Sequence, residues 1–179
     1  MELPFGISLI KYLISDPNYN YKKFDDVDFV CYRNKQANNF EKEAKAFIFK
    51  AKKKGVKNIF LSEFYLLASK LGVTGVHLTS KQFDCIDEAK KRALKVIISC
   101  HCEEDIKKAM NKKVDFITYS PIFETPNKGK AKGIEDLKKI VLKYNIKIIA
   151  LGGIITEKQI EEIKKSGVEG FASIRYFQK

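Results

Sequence analysis

Groups able to bind an anion recur at the ends of apolar runs in this chain. Arg33 and Lys35 follow the run "FVCY". Two apart on an extended chain, they share one face. An arginine clamps an anion through two parallel N–H bonds, and a lysine adds a point charge. Ser62 and Glu63 close "NIFLSE", and Thr79, Ser80, Lys81 and Gln82 follow "GVHL". Ser99 and His101 alternate onto one side of "VIISCH". After "FITYSPIF" comes an abruptly polar loop, "ETPNKGKAKG", in which Thr125, Asn127, Lys128 and Gly129 surround the stiffening Pro126. Gly152-Gly153 ends another run, and Ser173 and Arg175 end the last. Cations, hydroxyls and backbone laid bare by glycine are the components of a phosphate or diphosphate site. Carboxylates are scarce in the set, and it holds no obvious nucleophile–base pair. Taken singly, each feature has a plainer reading: a surface pair at Arg33 and Lys35, an ordinary turn at the glycines, hydrogen-bonded structural histidines at His77 and His101.

These groups act together only if the chain returns to one place between them. Eight apolar, β-branched runs, at 7–15, 27–33, 56–62, 73–79, 95–101, 114–123, 146–154 and 168–177, provide the returns. Amphipathic segments lie between most of them, with apolar residues three and four apart, as at Leu137, Ile140 and Val141 or at Ile160 and Ile163. Gly55, Gly72 and Gly167 stand where left-handed helix ends belong, and Thr156 with Gln159 reads as a capping box. Strands that are apolar throughout, separated by helices, imply a parallel sheet covered on both faces. The expected fold is a single α/β domain over 1–179, a (β/α)8 TIM barrel. An open doubly wound sheet is the alternative, and it would leave two unprotected edges. The barrel must be shortened, because 179 residues fall below the roughly 200 such barrels need. The first connection, "DPNYNYKKFDD", is too polar for a good helix, and no helix is expected after the eighth run. Strand faces left bare would be compatible with a homodimer.

Composition bounds the partners. The formal charge is +12, from 34 basic and 22 acidic residues. Lysines scattered along helix faces, with no basic–aromatic array, favour a solvated surface over nucleic acid. No run approaches the roughly 18 apolar residues of a membrane span, and "MELPFGISLIKYLISDP" has no basic leader region. A cytoplasmic protein with no membrane and no nucleic-acid partner is expected. Of the four cysteines, Cys100 and Cys102 flank His101. On a strand the thiols and the imidazole would face opposite ways, so buried reduced thiols are expected rather than zinc.

The pieces "KYLISDP", "CYRNK", "GVTGVHLTS", "ISCH", "YSPIFETPNKGKAKG", "IIALGGI" and "GVEGF" stand in an order that resembles the thiamine-phosphate synthase and thiazole tautomerase superfamily, from about Ser8 to Ala172. The resemblance implies a (β/α)8 barrel and a transferase. Such an enzyme joins hydroxymethylpyrimidine diphosphate to thiazole phosphate, giving thiamine phosphate and diphosphate with the help of Mg2+. It implies that Arg33 and Lys35 hold the pyrimidine diphosphate and that Ser99 touches the same ligand. Thr125, Asn127 and Lys128 would contact phosphates, and Gly152 and Gly153 would offer backbone N–H groups to the thiazole phosphate. Two departures fall at the metal: Glu63 stands where the pattern has aspartate, and Gln82 where it has a second acidic ligand. Ile174 and Arg175 replace serines of the thiazole-phosphate site. The tautomerase alternative shares Phe123-Glu124-Thr125, yet its catalytic histidine falls on Pro121, leaving His101 as the substitute. A non-catalytic barrel that binds a phosphorylated ligand or has a regulatory role is the third reading.

Overall fold

The computed structural model describes residues 8–21, 24, 26–126 and 128–178. Eight parallel strands close into one barrel in sequence order: β1 (Ile10–Ile14), β2 (Phe29–Tyr32), β3 (Asn58–Ser62), β4 (Gly75–Leu78), β5 (Lys95–Cys100), β6 (Phe116–Tyr119), β7 (Ile148–Leu151) and β8 (Gly170–Ser173). Pairing of β8 with β1, through Ile10 with Gly170 and Tyr12 with Ala172, removes both sheet edges. The open sheet is thereby excluded. Each strand lies within its expected run, and the part of the first run at Ile7 falls outside the described residues.

The shell consists of α1 (Phe40–Lys53), α2 (Tyr65–Lys70), α3 (Ile86–Lys91), α4 (Glu103–Asn111), α5 (Gly133–Lys143) and α6 (Glu157–Lys164). All but α2, which buries Ala68 alone, bury residues three or four apart: Ala44, Ile48 and Ala51 in α1, Ile106 and Ala109 in α4, Leu137 and Ile140 in α5. These pack on outward strand residues such as Val30, Leu61, Val76 and Ile98. Gly55, Gly72 and Gly167 end their helices at φ of 80°, 60° and 82°, and the Thr156–Gln159 capping box starts α6.

Among the described residues no helix follows β1, and only a 3-10 turn, Tyr176–Gln178, follows β8. The strand faces are nevertheless covered, which corrects the expectation of bare apolar staves. Tyr21 and Phe24 are buried in the irregular connection after β1, with Phe24 against Phe47 at 5.5 Å between ring centres. Phe177 stacks on Phe171 of β8 at 5.9 Å, and Tyr176 meets the same ring edge-on at 5.4 Å. Leu13 and Phe171 are consequently fully buried. A few aromatic rings thus replace two helices, and the argument for a dimer from exposed staves falls away.

The barrel interior is layered. Low in it, Tyr12, Phe29, Phe60 and Phe116 pack ring against ring at 5.3–5.9 Å. Gly75 leaves them room: a Cβ there would lie 2.8 Å from the Phe60 ring and 2.1 Å from the Lys95 carbonyl oxygen. This plug makes the lower barrel a packed core and leaves space only toward the C-terminal ends of the strands.

Candidate functional site

Above the aromatic plug lies a polar belt. His77 on β4 is joined through Nδ1 to the Tyr12 hydroxyl at 2.9 Å, and through Nε2 to Ser99 Oγ at 3.2 Å and Thr118 Oγ1 at 3.3 Å. Burial, aided by the positive charge of Arg33, lowers the His77 pKa to about 4. The imidazole is therefore neutral near pH 7. Burial likewise pushes the Tyr12 phenol well up and the Cys31 thiol up to about 12. The belt carries no charge.

Over the belt opens a cavity of about 300 Å³ at the C-terminal mouth of the barrel, within the size range of small-molecule sites. Arg33 and Lys35 line one side, and Lys128 and Arg175 also reach the wall. Arg33 is held from two directions. Its backbone N–H donates to Ser15 Oγ at 2.8 Å, while its guanidinium lies 3.5 Å from an Asp16 carboxylate oxygen. Ser99 and Thr125 contribute hydroxyls to the lining, and the Thr125 hydroxyl donates to the Phe123 carbonyl at 3.0 Å. Gly152 and Gly153 also line the cavity, at φ of 101° and 69°. A Cβ on Gly153 would stand 2.6 Å from the Glu124 carbonyl oxygen, and one on Gly152 would stand 2.8 Å from Pro121 Cα. Two bare glycines thus let the turn after β7 nest against the loop after β6.

The structure brings Arg33, Lys35, Lys128, Ser99, Thr125, Gly152, Gly153 and Arg175 around one cavity, with Glu63 on its wall. Asn127 lies outside the described residues. Lys81 and Gln82 are off the cavity wall. Gln82 is instead a tie between loops. Its Oε1 accepts from the Thr79 N–H at 3.1 Å and the Thr79 hydroxyl at 3.2 Å, and its Nε2 donates to the Glu63 carbonyl at 3.2 Å. β5 ends at Cys100, before His101, which reaches the cavity rim with Nδ1 donating to the Ser120 carbonyl at 3.1 Å. Cys100 and Cys31 are buried free thiols, as expected, whereas Cys85 is half-buried and Cys102 is exposed as the N-cap of α4.

Of the belt, Ser99 was expected at the site and His77 as a hydrogen-bonded structural histidine, whereas Tyr12 and Thr118 were not singled out. The signal for the rest lies in the parity: Ser62, His77, Ser99 and Thr118 all sit at inward positions near strand ends, where apolar residues would otherwise continue. Asp16 and Ser15, which hold Arg33, carried no such signal, since they lie one strand away in the barrel.

A closed parallel barrel whose strand ends surround one cavity with cations, hydroxyls and paired glycines has the architecture of the barrels that carry their sites at this C-terminal face. Comparison with known proteins narrows this. The sequence profile described as thiamine monophosphate synthase matches residues 23–177, and the chain belongs to that family. It is 35% identical over 122 residues to the "Putative thiamine-phosphate synthase 2" of Aquifex aeolicus, a match covering 66% of this chain and 65% of that protein. It is 30% identical over 126 residues to the thiamine-phosphate synthase of Pediococcus pentosaceus, covering 66% of this chain and 57% of that one. The matches therefore span well short of the full length of these relatives. The solved thiamine phosphate pyrophosphorylase of Pyrococcus furiosus shares the fold, with a TM-score of 0.78 and 24% identity over 93% of this chain and 85% of that one.

The family is generally Mg2+-dependent, and the question is whether the donors present suit that ion. Glu63 is the one carboxylate on the cavity wall among the described residues, and it stands among four cationic side chains. Gln82, the second expected ligand, has its carbonyl and its amide committed to Thr79 and Glu63. Magnesium demands near-ideal octahedral oxygen geometry and is held by carboxylates together with substrate phosphates. This donor set does not fit it.

Proposed function

We propose that this chain joins hydroxymethylpyrimidine diphosphate to thiazole phosphate, giving thiamine phosphate and diphosphate in thiamine biosynthesis. The observation that carries the reading is the convergence of Arg33, Lys35 and Lys128 with the Gly152-Gly153 turn on one cavity, in a member of this family. In the first step the bond between the pyrimidine methylene carbon and the diphosphate oxygen breaks, and its electron pair leaves with the diphosphate. Fixed cations act on that developing charge, and they are most effective where water is excluded. Arg33 would take the departing group through its guanidinium, with Lys35 and Lys128 adding charge beside it. The thiazole nitrogen then donates its lone pair to the pyrimidine methylene cation, forming the new C–N bond. No proton moves in the bond exchange, which accords with a site of cations over a neutral belt. Ser99 stands near the floor as a hydroxyl for the pyrimidine, and the turn at Gly152-Gly153 leaves backbone open to the second phosphate.

No helix among the described residues is long and apolar enough to cross a membrane. The test supplies both substrates to the purified chain, once in EDTA and once in excess Mg2+, and follows thiamine phosphate by chromatography. The parent should form product, and Arg33→Ala should lose at least about tenfold in rate, the value of a single charged contact in a transition state. Turnover no greater than that of Arg33→Ala in both conditions rejects the reading.

A further inference from the structure

Gln82 is informative because it uses both ends of its amide. A carboxylate at that position could accept from the Thr79 N–H and hydroxyl, but it could not donate to the Glu63 carbonyl. The residue is therefore matched to a tie between the loops after β3 and β4, and it does not line the cavity. What remains on the wall among the described residues is Glu63 against Arg33, Lys35, Lys128 and Arg175, four formal positive charges minus one, or +3. Asp16 offsets part of the charge on Arg33 at 3.5 Å. A divalent cation arriving before the anion meets a net positive wall, and Coulomb repulsion opposes its entry. A polyanion meets the opposite. Direct cationic side chains can supply the counter-charge that a metal supplies elsewhere.

Resting on the anion site proposed above, we infer that this cavity binds a diphosphate group through its own cations without a divalent metal, and that Gln82 serves as a loop tie at the position of a metal ligand. Glu63 is then a residual negative charge that weakens anion binding, not a ligand that promotes it.

The experiment is calorimetry of the full chain with inorganic pyrophosphate, in EDTA and in excess Mg2+, with Glu63→Gln as the variant. The inference expects binding in EDTA. Mg2+ should leave the Kd within about threefold or weaken it, because the metal masks charge on the free anion. Glu63→Gln should bind more tightly in EDTA by about three- to tenfold, the effect of removing one nearby charge at a protein surface. Tightening of about tenfold or more by Mg2+, lost in Glu63→Gln, would overturn the inference and leave the anion site standing. Absence of binding in both EDTA and Mg2+ would overturn the anion site, and this inference with it.

Discussion

Replacing Gly153 by alanine tests the wall of the cavity more sharply than removing any side chain. Gly153 has φ of 69°, a conformation that costs an alanine about 1 kcal/mol. The new Cβ would also lie 2.6 Å from the Glu124 carbonyl oxygen and 2.8 Å from both the carbonyl carbon and the Cβ of Phe123. Two of these three neighbours are backbone atoms, so relief requires the loop itself to move. Overlap of that kind adds about 1–3 kcal/mol, for a total of roughly 2–4 kcal/mol. Gly55 provides the control. Its φ is 80°, and nothing lies within 4 Å of its ideal Cβ, so Gly55→Ala should cost only the conformational part, about 1 kcal/mol. Urea unfolding followed by far-UV circular dichroism suits a chain with no tryptophan, and the difference between the two variants isolates the overlap. The displaced loop carries Thr125 and leads to Lys128, so Gly153→Ala should also weaken pyrophosphate binding by about tenfold, while Gly55→Ala leaves it unchanged. If the two variants unfold at the same urea concentration and bind pyrophosphate alike, the nesting of the glycine turn against this loop has no energetic content and the argument for the wall fails.

Two further outcomes concern the belt. The folded chain holds the His77 pKa at about 4, mainly through burial, whereas an unfolded histidine titrates near its ordinary 6.5. The unfolded state therefore takes up a proton first, so stability is full above pH 6.5 and falls by roughly 3 kcal/mol as the pH drops toward 4. Denaturation midpoints measured across that window should show a decline that His77→Gln flattens; an equal decline in the variant would assign it to other groups. Tyr12→Phe removes the hydroxyl 2.9 Å from His77 Nδ1 and should cost about 1–2 kcal/mol in the same unfolding assay, with pyrophosphate affinity unchanged because Tyr12 lies beneath the cavity.

The alternation of apolar runs with amphipathic segments made the barrel readable, because each signal is local. The helix ends at Gly55, Gly72 and Gly167 and the capping box at Thr156 are local as well, and all four occur in the fold. The run expected over 114–123 pairs only from Phe116 to Tyr119, since the chain turns into the loop at Pro121. Covering residues were harder to find. Tyr21 and Phe24 sit in a polar stretch that reads as exposed connection, and only the closed barrel shows that they occupy the place of a helix. Gln82 illustrates the same limit at the site. Its sequence position suggests a metal ligand, but its orientation is set by a carbonyl 19 residues away, and no local pattern encodes that bond.

The cationic rim and the neutral belt depend on one another. Arg33 lines the cavity above His77, and its charge helps to keep that imidazole unprotonated. A carboxylate in place of His77 would do the reverse: it would pair with Arg33, cancel the field at the mouth and leave less charge for an incoming anion. Hydroxyls and a neutral imidazole satisfy one another in the barrel without drawing on the cations above. Arg33 retains one nearby acid, Asp16, at a distance of 3.5 Å that is long for a charge-assisted hydrogen bond. That contact orients the guanidinium while leaving donors for a ligand. The polarity of the interior is thus graded from rings, through neutral dipoles, to fixed cations, and such a gradient would draw a polyanion toward the end of the barrel where the packed core stops.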